Sequence, residues 1–259
     1  MAPVSLQPSY EEFCRLAERG NVVPVYADII ADGDTPVSAF RKLEEGGLCF
    51  LFESAEQKEG SGRYSFLGFY PRVVMQSDGR SFSIEGDGRR RSSPISNDPL
   101  VHLEEVMSRF QFVAAPELPR FAGGAVGFLG YDVVRSFEPT VPSPDKDELN
   151  VPEMLFMVMS FLVVFDHRER RMKLIANAFL DSEKDPATAY ATAQELIESA
   201  FERLSLPCEL SYIDAQRKGP PAAAQSNMSR ERFETALRGA KVPPFGGDRV
   251  TVTKRVVIQ

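Results

Sequence analysis

The run MLFMVMSFLVVFD at 154–166 carries one charged residue, and it comes last. Read as a strand, such a run is buried on both faces. The charged stretch HRERR at 167–171 follows, and then a second apolar run, MKLIANAFL at 172–180. A gap that short cannot hold a crossover helix, so the two runs are predicted to be antiparallel neighbours. No uninterrupted apolar window reaches the ~18 residues that a membrane-crossing helix needs.

The same spacing recurs upstream. LCFLFE at 48–53, RYSFLGFY at 63–70, RVVMQS at 72–77 and SFSIEG at 81–86 read as strands separated by glycine, proline and Asp78-Gly79. VVPVYADII at 22–30 is apolar and rich in β-branched residues, so it reads as another. Helices are signalled by their caps. Ser9-Tyr10-Glu11-Glu12 fits a capping box before Phe13, Leu16 and Ala17, and Thr35-Pro36 opens a helix whose inner face is Phe40 and Leu43. Asp98-Pro99 and Asp185-Pro186 open two more, the latter running over about 186–204. FAGGAVGFLGYD at 121–132 breaks the pattern with glycines. It lacks the strand–GxGxxG–helix setting of a dinucleotide site, so close backbone packing is the expected reason for them. The predicted class is α/β of the α+β type, with mixed, largely antiparallel sheets packed with helices. Residues 1–204 form one domain and the proline-rich stretch 205–225 a linker. A helix follows at 226–241, then a divergent tail at 242–259 that is too short to complete a second domain.

Composition narrows the function classes. A net charge of −7 argues against a general nucleic-acid or anionic-membrane surface. Arg89-Arg90-Arg91, beside Gly86 and Gly88, reads as a solvated turn. Cys14, Cys49 and Cys208 are odd in number and far apart, which suits a reducing compartment and not a disulfide framework or zinc site; Cys49 reads as a small core residue. The N-terminus has no apolar signal core. His102 and His167 read as structural or surface residues. Neither a metal-spaced cluster nor a nucleophile elbow nor a phosphate loop is legible, so no catalytic residue is assigned.

One stretch resists the bland reading. In FLFESAEQKEGSGRYSFLGF at 50–69, an apolar strand ends in Glu53-Ser54, with Arg63 across a polar loop. A carboxylate can pair with an ammonium group, and a hydroxyl can donate to a carboxylate. Arg63 is either a second anchor for a small zwitterion or a partner for Glu53.

Several segments together resemble one family. FLFESAE followed by GRYSFLGF resembles the L-L-E-S and G-R-Y-S-F-x-G signatures of the anthranilate synthase large subunit. FAGGAVGFLGYDVVRSFE, VPEMLFMVMSFLVVFDHRERRMKLIAN and the helix SNMSRERFETALRGAK resemble further segments of that family in the same order, as does the early NVVPVYADIIADGDTPVSAFRKL. The resemblance implies a cytoplasmic lyase of tryptophan biosynthesis that turns chorismate into anthranilate and pyruvate. It further implies magnesium as cofactor, ammonia from a glutamine amidotransferase subunit, and feedback inhibition by tryptophan. The family's tryptophan-binding serine lands on Ser54, with Leu51, Phe52 and Glu53 as matching neighbours and Arg63 further out. Phe52 departs from the commoner leucine. The family's magnesium and chorismate ligands lie beyond the point where the tail diverges. The resemblance therefore implies a truncated chain, inactive alone, that exposes apolar surface. Two rivals stay open: the aminodeoxychorismate synthase large subunit, and a tryptophan-binding module without chemistry.

Overall fold

The computed structural model describes residues 4–30, 32–53, 62–95, 98–138, 140–141, 151–180 and 185–208. Its strands are β1 (Val22–Ile30), β2 (Phe50–Phe52), β3 (Tyr64–Ser77), β4 (Ser81–Gly86), β5 (Arg89–Pro94), β6 (Ala125–Leu129), β7 (Met154–Asp166) and β8 (Arg171–Phe179). They form one sheet in the order β1-β8-β7-β3-β4-β5, with β2 added to β3 and β6 to β7. Every ladder is antiparallel. The helices are α1 (Tyr10–Ala17), α2 (Pro36–Leu43), α3 (Pro99–Met107) and α4 (Pro186–Leu204), and Tyr131–Ser136 is a 3-10 helix. The expected class and the β7–β8 hairpin are both present.

β3 and β7 are the spine of the sheet, and each changes partner part-way along. β7 pairs with β8 over Phe161–Asp166 and with β6 over Met154–Val158. β3 pairs with β2 over Phe66–Gly68 and with β4 over Val73–Ser77. The change on β3 coincides with a bulge between Pro71 and Val73. Proline has no N–H to give the ladder, and a bulge is where a strand tolerates that loss. The stretches 63–70 and 72–77, expected as two strands, are thus one bent strand. At the matching fork on β7, the buried Asn177 donates Nδ2 to the carbonyls of Ala122 (3.2 Å) and Met159 (3.4 Å).

The caps explain the helix starts. Ser9 accepts from the Glu12 N–H, but Glu12 pairs with Arg15 at 2.8 Å, so only half of the expected box is made. Thr35 and Ser38 form a complete box at α2. Asp98 and Asp185 cap the N–H groups of Leu100 and Ala187, each with proline next in sequence. Helices α1, α2 and α4 bury Phe13, Leu43 and Ile197 against Val23, Val25 and Leu174 of the sheet. Cys49 is half-buried against that core. A second cluster holds Tyr26, Phe50, Leu162 and Ile175, with Leu118 and Phe121 packed on it. A third places α3 over Met75, Phe82 and Met154.

The arginine run departs from expectation. Asp87 and Gly88, both at positive φ, make the turn, and Arg89–Arg91 belong to strand β5. A two-residue turn of that kind matches the twist of a hairpin. The arginines are exposed, as a solvated run should be, because β5 ends the sheet. Charge on an edge strand discourages pairing with other chains. The helix expected at 226–241, the tail at 242–259 and residues 209–225 of the linker expected at 205–225 lie outside the described residues.

Candidate functional site

The site read from sequence lies where β2 ends and β3 begins. Ser54 lies outside the described residues, so the geometry is that of its flanks. β2 is three residues long and is held by β3 in the register Phe50↔Gly68, Leu51↔Leu67 and Phe52↔Phe66. Gly68 makes this possible: a Cβ there would stand 2.1 Å from the Phe50 ring. Successive side chains on a strand point to opposite faces. Leu51 accordingly packs into the helix-side core, while Phe50 sits in the opposite cluster with its ring 4.8 Å from that of Phe52. Phe52 is 51% exposed, and Glu53 is exposed. Thus Phe52 and Glu53 are available to a ligand, and Leu51 holds the strand from behind.

Arg63 does have a partner inside the fold. Its Nε and Nη2 meet Asp166 Oδ2 at 2.9 and 2.6 Å, and Nη2 reaches Glu169 at 3.1 Å. The guanidinium also lies 4.9 Å from the centre of the Tyr64 ring. Of the two readings of Arg63, neither anticipated this pair. Asp166 is the residue that sequence reasoning passed over. It carries the same signal as Glu53, a carboxylate closing an apolar strand. Only the tertiary fold brings it to Arg63, since the two are 103 residues apart.

Asp166 is only 8% exposed at its side chain, and its acceptor sites are filled. Besides Arg63 it takes the N–H groups of Arg168 (3.1 Å) and Glu169 (3.2 Å), which closes the β7–β8 turn. The His167 N–H donates to the Arg63 carbonyl at 2.9 Å, and Ser65 Oγ and His167 Nε2 are 2.7 Å apart. His167 is therefore a turn residue, and His102 stacks on Phe82 at 5.0 Å. Burial pushes the Asp166 carboxyl up, but Arg63 and the turn N–H groups outweigh it and hold the carboxyl below its ordinary range. A lowered folded pKa means that the stabilisation is complete above the unfolded value and lost as pH falls through the folded one. Denaturation at a series of pH values should show wild type losing stability relative to Asp166→Asn below roughly pH 4. A gap that stays constant into acid would contradict this.

Among the described residues, no group of three or more His, Cys, Asp or Glu side chains is arranged to hold a metal ion. No described residue is therefore assigned to magnesium. Nor, among them, is any helix long and apolar enough to cross a membrane. Apolar surface is exposed along β6 and the 3-10 helix, at Phe128, Leu129 and Tyr131, and beyond them at Phe137.

Comparison with known proteins bears on the whole arrangement. The family model described as chorismate binding enzyme matches residues 48–244. Anthranilate synthase component 1 of Pseudomonas putida is 37% identical over 253 residues, covering 93% of this chain and 49% of that protein. The Pseudomonas aeruginosa protein of the same name is 35% identical, covering 96% and 51%. That of Acetivibrio thermocellus is 30% identical, covering 97% and 51%. The crystal structure of anthranilate synthase component I from Streptococcus pneumoniae aligns over 70% of this chain and 37% of that one, at 26% identity. Its TM-score of 0.43 is too low to bear on the fold. The chain spans about half the length of the curated relatives it matches.

Proposed function

The chain belongs to the chorismate binding enzyme family, and from that premise we propose that it is the tryptophan-sensing part of an anthranilate synthase large subunit. The reaction is the conversion of chorismate, with ammonia drawn from glutamine, to anthranilate and pyruvate. The observation that carries this reading is the match to proteins named anthranilate synthase component 1 over more than nine-tenths of the chain. The name component 1 fits a second subunit, and a glutamine amidotransferase is the partner the chemistry needs. Magnesium belongs to the reading through the family resemblance alone, and the setting is the cytoplasm.

The described residues act in binding. In this reading residues 1–204 form the sensing domain, 205–225 the linker and 226–241 the start of the chorismate-binding domain. Ser54 would donate to the tryptophan carboxylate, and the exposed Glu53 would pair with its ammonium group. Phe52 presents an aromatic ring beside them, where the commoner leucine would present a branched chain.

Isothermal titration of tryptophan into the purified chain tests the reading, with Ser54→Ala as control. Saturable binding that the substitution weakens at least tenfold is the expected result, since a lost hydrogen bond to a charged group costs about 1.5–3 kcal/mol. A folded chain that takes up no tryptophan would overturn the sensing role.

A further inference from the structure

We infer that Asp166 is a positioning residue for the effector site, acting through Arg63; the inference rests on the tryptophan-sensing reading above. β2 pairs only with β3 among the described strands, and three residues of ladder are marginal by themselves. Whatever holds the start of β3 therefore holds the end of β2, where Phe52 and Glu53 lie. The start of β3 is held twice. Its main chain is held by the bond from the His167 N–H to the Arg63 carbonyl, and by the ladder that sets Tyr64 opposite Asp166. Its side chains are held by the Asp166 fork on Arg63 and by the contact of Ser65 with His167. A planar guanidinium in a two-point grip fixes direction as well as distance. Asp166 also shapes its own turn, so the β7–β8 corner and the start of β3 are tied together. Phe66 transmits this to Phe52, its register partner.

The rival is that Asp166 only closes its turn and Arg63 merely sits on it. Tryptophan titration of the full chain separates the two, using Arg63→Gln, Asp166→Asn and the double substitution, with thermal unfolding as the check on folding. Arg63 is 39% exposed at its side chain, so Arg63→Gln keeps the fold even where Asp166→Asn does not. Each single substitution is expected to weaken tryptophan binding roughly five- to tenfold, and the double to be no weaker than Asp166→Asn alone. Arg63→Gln binding as wild type does, or a double whose loss is the product of the two singles, overturns the inference. If wild type binds and Ser54→Ala does not, while Arg63→Gln is silent, the inference fails and the sensing role stands. No binding by folded wild type removes both.

Discussion

Gly127→Val lowers the stability of the described domain by at least about 3 kcal/mol, at the upper end of what overpacking costs. Gly127 lies on β6 opposite Phe156 of β7. A Cβ at 127 would stand 1.9 Å from the Leu155 carbonyl oxygen and 2.7 Å from the Phe156 Cα. Both are main-chain atoms of a central strand, so no side-chain rotation relieves the clash. Either β6 leaves β7 or β7 bends. The check is urea unfolding, read as a fall in midpoint with unchanged slope. Gly33→Ala is the control, because nothing lies within 4 Å of a Cβ there. A Gly127→Val chain with the wild-type midpoint would mean that β6 does not approach β7 so closely.

Phe161→Ala costs about 3–5 kcal/mol, the range for removing a buried aromatic ring. Phe161 is 1% exposed and sits where β7 is paired on both sides, to Phe69 of β3 and Ala176 of β8. Its ring centre lies 6.5 Å from that of Phe69 and 6.4 Å from that of Tyr70. Truncation leaves a cavity between fixed strands, which cannot collapse to fill it. Phe52→Ala is the contrast: at 51% exposed it should cost less than about 1 kcal/mol in the same unfolding assay, and act on tryptophan binding instead. Equal midpoints for the two variants would place Phe161 outside the core.

These two positions were legible to different degrees. Phe161 lies in an apolar run whose burial follows from local composition, and the Gly127 segment reads as close packing because glycine has no other use there. Four helix starts are likewise local, since a capping side chain, followed by proline in α2, α3 and α4, acts within a few residues. The partner of Gly127 was not legible, because Phe156 lies on a strand with β3 along one edge and the other edge shared by β6 and β8. At the candidate site, Glu53, Ser54 and Arg63 stood out as polar residues at the ends of apolar runs. Their surroundings did not: that Leu51 turns to the helix side is set by the register with Leu67.

The sequence by itself determined most of the strands and the four helix starts, the hairpin turning at 167–171, and the family, but not β5, β6 or the joining of 63–70 to 72–77 as one strand. What it did determine rests on contacts between near neighbours or on collinear motifs. Only the tertiary structure decided that β3 and β7 pair along their length and fork, that Asn177 fills the fork, and that Arg63 belongs to Asp166. Those contacts join residues far apart in the chain. Which of many chemically equivalent partners a carboxylate or amide meets is settled by sheet register and strand order, and neither is written in any one segment.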